Sequence, residues 1–340
     1  MAAGKVTSLD VARMAGVSQS AVSRVFTPGA SASAATAEKV RRAAAELGYR
    51  PNPVARSLIT GRSRIVGVVV AYLENYFYPE ALELLSNALQ ARGYHVMVFM
   101  ASQTAGNIDD VVDEFLDYRV DGIVAASVAF GSDLAQRCRS AGVPIVFFNR
   151  TQGGRAVSYV TSDNRAGGRQ VADFLVAGGH ERIGYVAGWE GASTQREREA
   201  GLREGIAAAG LDLHAREAGD FVLDRAREAA RRMFDRPDPP DAVFVANDHM
   251  AFGVMDVLRF ELGLDVPGDV SVVGYDDVPP AAWPAYALTT VRQRANLMVA
   301  ETVDLLLERI EAPRLPARAA RVEAPLVVRR SARIPQGWTP

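Results

Sequence analysis

The segment VTSLDVARMAGVSQSAVSRV, residues 6–25, decides the fold of the N-terminal part of this 340-residue chain. Apolar residues recur at helical spacing on both sides of Gly16, which breaks the pattern and permits a turn. Thr7 or Ser8 can cap the first helix, and Ser18 can cap the second. Two short helices joined by a glycine turn predict a helix-turn-helix unit. The expected inward-facing residues are Leu9, Val11, Ala12 and Ala15 in helix 7–15, and Ala21, Val22 and Val25 in helix 19–26.

A third helix and a positive charge complete this part of the chain. The pattern predicts a helix from about residue 35 to residue 47, capped by Ser33 and ended by Gly48. Residues 1–64, the head, contain ten Lys and Arg and three Asp and Glu, which gives +7. Because the whole chain carries −2, the remaining residues, the body, carry −9. This asymmetry suggests a polyanion as the partner of the head, although charge alone fits a basic surface without a partner equally well.

The second helix has the features of a helix that reads the major groove of DNA. Gln19, Ser20 and Arg24 point away from its packing face. A glutamine amide can pair with adenine, and an arginine with guanine, through two hydrogen bonds each. We therefore expect the N-terminal end of this helix to enter the groove. The alternative is a plain helical hairpin whose polar residues are solvated.

Residues 6–25, together with ELGYRPNPVARSL at 46–58, closely resemble the opening of the lactose/galactose repressor (LacI/GalR) family. The resemblance implies a transcription repressor that binds double-stranded operator DNA as a homodimer, with two heads on a near-palindromic site. The residues that it places on DNA are Ser8, Leu9, Ser18, Gln19, Ser20, Ser23, Arg24, Ser33, Thr36, Tyr49, Asn52, Ala55, Arg56 and Leu58.

Residues 51–63 are expected to form a hinge between the head and the body. Pro51 and Pro53 favour an extended entry, and residues 53–60 could then form two helical turns that are unstable alone in water. The resemblance implies that two such helices meet in the minor groove, where Leu58 acts as a wedge and Asn52 and Arg56 contact the backbone or the groove. An ordinary linker leucine is the alternative for Leu58.

From Ile65 onward, apolar strand patterns alternate with amphipathic helical patterns, which predicts parallel sheets covered by helices. The sequence falls into two similar halves near residue 160. We therefore expect an α/β, two-lobed, periplasmic-binding-protein-like body after an all-α head. The expected domains are a helix-turn-helix domain at 1–50, the hinge at 51–63, and an effector-binding and dimerisation domain at 64–340. Its lobes are expected at about 64–160 plus 291–328, and at 161–290.

The sequence offers no assembled catalytic or metal site. Its four histidines are scattered without metal-ligand spacing, and no Gly-x-Ser-x-Gly elbow occurs. The single cysteine, Cys138, excludes an internal disulfide and is expected to pack inside the protein. No apolar run approaches the roughly 20 residues of a membrane helix, and no signal-peptide core follows Met1. We therefore expect a cytoplasmic protein that is not an enzyme, without cofactor, metal or membrane partner.

Candidate effector-binding residues follow predicted strand ends or begin helices, where ligands of such folds bind. The resemblance to the family extends through residues 162–164, 245–248, 273–277 and 288–291. It implies that Arg198 and Asp276 grip the polar groups of the effector and that an aromatic at Phe221 packs on it; Asn149 stands where relatives often carry Asp. The expected pocket residues are Phe77, Tyr78, Asn149, Arg150, Arg198, Phe221, Asn247 and Asp276.

The chemical class of the effector stays open at this point. Arg150 and Arg198 together suggest an anionic sugar, because guanidinium groups bind carboxylate or phosphate through two aligned bonds. The rival is a neutral sugar or a nucleobase stacked by Phe77, Tyr78 and Phe221. Alternatively, Arg150 pairs with an acidic neighbour such as Asp163 and faces no ligand. Two other functions are disfavoured. A solute-binding protein would need an export signal in place of the basic head, and an α/β enzyme would need a set of catalytic residues, which the sequence does not offer.

Overall fold

The computed structural model describes residues 6–27, 30–51, 61–101, 114–126, 133–151 and 157–338. The chain divides into two compact units, Met1–Arg64 and Ile65–Pro340. Within the described ranges, no helix has both the length and the apolar character needed to cross a membrane.

The head contains three helices around a small core. They are α1 (Ser8–Ala15), α2 (Gln19–Val25) and α3 (Ala34–Leu47). The side chains of Thr7, Ser18 and Ser33 each accept a hydrogen bond at a helix start, as expected, and Gly16 and Gly48 end α1 and α3 with a φ of 65°. The core consists of Val11, Ala12, Val22, Val40, Ala43 and Ala44.

Leu9 differs from its expected place in the core of the head. Its side chain is 52% exposed, while Val11 and Ala12 are buried. At about 100° per residue, Leu9 lies roughly a quarter-turn or more away from the direction shared by Val11, Ala12 and Ala15. Leu9 is therefore available at the surface of α1.

The first lobe of the body is a six-stranded sheet with the order β11-β5-β4-β3-β1-β2, and all of its strand pairs are parallel. The helix α10 packs beside α4 and over β3, β4 and β5. The elements are β1 (Ile65–Val70), α4 (Phe77–Ala91), β2 (His95–Met100), β3 (Gly122–Ala126), α5 (Asp133–Ser140), β4 (Ile145–Phe148), β5 (Ser158–Ser162), α10 (Ala295–Glu311) and β11 (Ala319–Val322).

The second lobe is a six-stranded sheet with the order β12-β10-β9-β8-β6-β7, in which β12 alone runs antiparallel to its neighbour. A π-helical turn, Val257–Glu261, continues its helix α9. The elements are α6 (Asn164–Ala177), β6 (Ile183–Ala187), α7 (Ser193–Ala208), β7 (Ala215–Ala218), α8 (Leu223–Phe234), β8 (Ala242–Val245), α9 (Asp248–Asp256), β9 (Ser271–Asp276), β10 (Thr289–Arg292) and β12 (Leu326–Val327).

These two sheets confirm the expected fold class, but the expected return of 291–328 to the first lobe is wrong at both of its ends. Residues 291–292 end β10 in the second sheet, and β12 pairs there with β10, opposite Thr290 and Val291. The side chain of Gln170 also holds this segment, since its Oε1 accepts a hydrogen bond from the Leu326 N–H at 3.2 Å. These pairings join residues far apart in the chain, so local periodicity gave no sign of them.

Candidate functional site

A small cleft lies between the two lobes at the carboxyl ends of their strands, the usual ligand position in such sheets. The cavity between its lining residues is only about 10 Å³, so the cleft is closed in this structure. The lining side chains are Tyr72, Asn75, Tyr78, Asn149 and Arg150 from the first lobe, and Thr194, Arg198, Phe221, Asn247 and Asp276 from the second.

Seven of the eight expected pocket residues line this cleft, and Phe77 does not. The Phe77 ring is buried and stacks on Phe148, with 6.1 Å between centroids and 14° between planes. Phe77 and Tyr78 are consecutive at the start of α4, so their side chains diverge by about 100° around the helix axis, and only Tyr78 reaches the cleft. Three further lining residues were not predicted from the sequence. Tyr72 and Asn75 follow the end of β1, and Thr194 lies at the start of α7, so all three carry the same positional signal as the predicted residues.

The carboxylate of Asp276 is held from both lobes. Asn75 Nδ2 of the first lobe donates to Asp276 Oδ2 at 3.0 Å, and Gln293 Nε2 donates to Oδ1 at 2.7 Å. Arg198 Nη1 lies 3.6 Å from the same Oδ1. The backbone of Asp276 has a φ of 125°, a conformation that L-residues rarely adopt. Asp276 is therefore fixed in place, and its bond to Asn75 directly connects the lobes.

Two nitrogens of Arg198, Nε and Nη1, are bonded inside the second lobe. Its side chain is 2% exposed; Nε donates to Asn164 Oδ1 at 2.9 Å and Nη1 to the Ala246 carbonyl at 2.5 Å. The guanidinium lies over the Tyr275 ring, 3.6 Å from its centroid. Because Asp276 supplies the opposite charge, Arg198 leaves no uncompensated positive charge for an anionic ligand.

Arg150, in contrast to Arg198, is buried with nitrogens that are unpaired in the part of the chain that the structure describes. It is 5% exposed, and its Cζ lies 5.7 Å from the ring centroids of both Trp189 and Phe221. Its Nε and Nη1 have no hydrogen-bond partner among the described residues. The expected alternative partner, Asp163, instead accepts from the Ala166 N–H at the start of α6. The alternative of an Arg150–Asp163 pair is therefore wrong, and two donors of Arg150 stay available.

Two asparagines add further unpaired atoms at the cleft. Asn149 Nδ2 donates to the Tyr78 hydroxyl at 3.1 Å, while Asn149 Oδ1 is buried without a partner among the described residues. Asn247 Oδ1 caps α9 by accepting from the Met250 N–H at 3.0 Å, which leaves its Nδ2 equally unpaired. Since buried polar atoms are nearly always hydrogen-bonded, these atoms can receive the polar groups of a ligand.

A second buried carboxyl, Asp248, lies at the start of α9. Its Oδ2 accepts from the Val278 N–H at 3.0 Å, and its Oδ1 is 2.6 Å from the Thr290 hydroxyl. Burial, reinforced by the negative charge of Asp276, raises the pKa of Asp248 to about 8. The carboxyl thus ties α9 to the ends of β9 and β10.

The head carries a separate candidate nucleic-acid interface at the N-terminal end of α2. Gln19 and Ser20 are exposed there, and Arg24 is exposed in the last turn of α2, as expected. Gln19 Nε2 donates to Ser8 Oγ at 2.9 Å, and the Ser18 and Ser20 hydroxyls are 2.9 Å apart. This end of α2 therefore presents its polar side chains in an organised arrangement.

The other expected DNA-contacting residues fall into three groups. Ser33 and Thr36 begin α3, joined by a hydroxyl–hydroxyl bond of 2.8 Å. Ser23 and Tyr49 are half-buried, and the Tyr49 ring packs against Phe26. The hinge residues Asn52, Ala55, Arg56 and Leu58 lie outside the described residues.

Comparison with known proteins finds two family models in this chain. The model "Bacterial regulatory proteins, lacI family" matches residues 7–52, and "Periplasmic binding protein-like domain" matches residues 172–332. The HTH-type transcriptional regulator CelR of Thermobifida fusca is 38% identical over 310 residues, covering 88% of this chain and 90% of the relative. The ribose operon repressor of Escherichia coli (strain K12) is 30% identical over 314 residues, covering 91% and 94%.

The chain is also similar to solved structures of transcriptional regulators. A complex of the transcriptional regulator CelR with cellobiose has a TM-score of 0.74 at 35% identity and covers 96% of this chain and 100% of that one. The lac repressor dimer bound to operator and the anti-inducer ONPF has a TM-score of 0.87 at 30% identity, covering 96% and 98%.

Proposed function

The chain belongs to the LacI family of bacterial regulatory proteins and is a DNA-binding transcriptional regulator, and from this premise we propose that it is a repressor controlled by a saccharide bound between its lobes. The observation that carries the proposal is the set of unpaired buried atoms on Asn149, Arg150 and Asn247, beside the aromatic rings of Phe221 and Trp189. Sugars offer hydroxyl groups that both donate and accept, together with apolar ring faces.

Within this class we propose a neutral saccharide. The charge of Arg198 is compensated by Asp276, and the cleft offers an unpaired acceptor, Asn149 Oδ1, which would repel a carboxylate or phosphate. The related regulator CelR is known in complex with cellobiose, which is neutral. A sugar acid is the second candidate, because Arg150 has no acidic partner among the described residues.

We further propose that effector binding weakens DNA binding through movement of the lobes. Two hydrogen bonds support coupling across the cleft, from Asn75 Nδ2 to Asp276 and from the Thr151 N–H to Ser193 Oγ at 2.8 Å. A ligand that replaces these contacts shifts the equilibrium between arrangements of the lobes by its differential affinity for them.

The remaining features of the proposal concern assembly and location. We propose residues 1–50 as the DNA-binding domain, 51–63 as the hinge and 64–340 as the effector-binding and dimerisation domain. A homodimer is supported by large apolar side chains at the surface of the body, above all Phe260, which is 82% exposed. A protein that acts on the chromosome of a bacterium works in the cytoplasm, and nothing in the proposed mechanism requires catalysis.

Fluorescence anisotropy with the full chain and DNA fragments from its own genome tests this function. We expect specific binding that weakens steeply with salt and is released by a neutral mono- or disaccharide, with no release by the matching uronic acid. Arg24→Ala should weaken specific binding, whereas Arg231→Ala, which lies in the body, serves as the matched arginine control. Absence of any sequence preference would contradict the proposal; release by the acid alone would favour the second candidate. Mass spectrometry of the recovered sugar should find it unchanged.

A further inference from the structure

The amide of Gln19 is held by a side chain from another helix. Gln19 is the first residue of α2, and its Nε2 donates to the hydroxyl of Ser8, the first residue of α1, at 2.9 Å. The capping of α1 is provided by Thr7 and Asp10, whose side chains accept from each other's backbone N–H groups. The Ser8 hydroxyl is therefore not needed to start α1, and its contact is directed to Gln19.

This hydrogen bond changes what Gln19 can offer to a base pair. A free glutamine amide has two N–H donors and one carbonyl acceptor. Once one N–H is bound to Ser8, the amide retains one N–H and Oε1. In the major groove, adenine presents one acceptor and one donor, N7 and N6, whereas guanine presents two acceptors, N7 and O6. The remaining pair of groups on Gln19 matches adenine and cannot bind both acceptors of guanine.

We propose that Ser8 is a positioning residue that sets base specificity. By binding one N–H of the Gln19 amide, it makes Gln19 prefer adenine over guanine. The neighbouring side chains of Ser20 and Arg24 are held by other groups, so Gln19 is the residue that reads this base. The Ser20 hydroxyl is joined to Ser18, and Arg24 Nε donates to the Ser20 carbonyl at 3.4 Å, which directs Arg24 along α2. The inference rests on the proposed DNA-binding function and does not involve the cleft.

The test uses the full chain and operators selected from a library with randomised half-sites. The position at which Gln19→Ala relaxes the base preference identifies the base pair that Gln19 reads. At that position, Ser8→Ala should reduce the ratio of affinities for adenine over guanine by about fivefold or more, since a good bidentate pair discriminates by about this factor or more. Ser8→Thr, which keeps the hydroxyl, should restore the ratio, and Ser31→Ala, which removes an exposed hydroxyl between α2 and α3, should leave it unchanged.

Several outcomes would overturn the inference. One is an unchanged adenine-over-guanine ratio in Ser8→Ala, and another is an equal loss of affinity at every position of the site. The same holds if Gln19→Ala relaxes no position that prefers adenine. These results differ from failure of the proposed function, in which the wild-type chain itself selects no sequence. Circular dichroism checks that α1 and α2 remain folded in each variant.

Discussion

The cleft and the head place their functional side chains in opposite environments. In the cleft, Arg198, Asp276 and Asn247 are buried, and most of their polar atoms are already bonded within the protein. In the head, Gln19 and Arg24 lie on the surface above a small core, which contains six buried residues in the part of the head that the structure describes.

Because of these environments, substitutions in the cleft and in the head are expected to affect different properties of the protein. Where a buried charge is compensated within the protein, as Arg198 is by Asp276, the residue contributes to the stability of the body as well as to ligand binding. An exposed side chain on a helix makes few contacts, so its replacement alters recognition while leaving folding nearly unchanged. The head is instead sensitive at its small core.

The largest expected effect is on Arg198. Arg198→Ala leaves the buried carboxylate of Asp276 without its opposite charge, and breaking such a pair costs about 3–5 kcal/mol. Urea denaturation followed by circular dichroism should show this loss in the free energy of unfolding of the body. The matched control is Arg231→Ala, whose exposed pair with Glu261 at 2.7 Å should contribute little to the free energy of unfolding, because both side chains are solvated. An equal loss in the free energy of unfolding of the two variants would contradict the expectation that the buried pair in the cleft contributes more to stability than the exposed pair.

A smaller effect is expected for the core of the head. Val40 is fully buried between the three helices, so Val40→Ala should destabilise the head by about 2 kcal/mol through lost packing and a residual cavity. Differential scanning calorimetry should show the transition of the head moving down while that of the body stays in place. Lys39→Ala changes the exposed neighbour in α3 and should move neither transition. A parallel shift of both transitions in Val40→Ala would contradict independent folding of the two units.

A third expected effect is a dependence on pH that originates in the cleft. The pKa of Asp248 is raised by burial, so in the window between the ordinary value of a carboxyl and about 8 the native state holds a proton that the unfolded state has lost. Its contribution to stability is therefore present at low pH and is lost as the pH rises through this window. Asp248→Asn can keep both hydrogen bonds without titrating.

The free energy of unfolding of Asp248→Asn, relative to wild type, should thus increase from about pH 5 to about pH 8. Asp212→Asn, which removes one exposed carboxylate, controls for the change in net charge. A difference between Asp248→Asn and wild type that is constant with pH would show that the native carboxyl is already ionised.

Much of the architecture could be predicted from the sequence because it depends on local interactions. The helix starts at Thr7, Ser18 and Ser33 follow from side chains that bond to nearby N–H groups, and Gly16 and Gly48 follow from the backbone that a helix end requires. The strands β5, β7 and β10 are not apparent in the sequence because several of their residues are polar, whereas the equally short β4 is wholly apolar. Seven cleft residues were found because strand ends converge at one edge of a parallel sheet.

The sequence by itself determined the class of fold, the helices of the head and the set of residue types at the cleft, since periodicity and capping act within a few residues. Only the tertiary structure decided how these residues are used. Asn75 meets Asp276 across 201 residues of sequence, and this pairing, with Gln293 and Arg198, fixes which charges are already compensated. Such contacts depend on the packing of both lobes, so Arg150 and Arg198, alike in sequence, differ in what they can offer to a ligand.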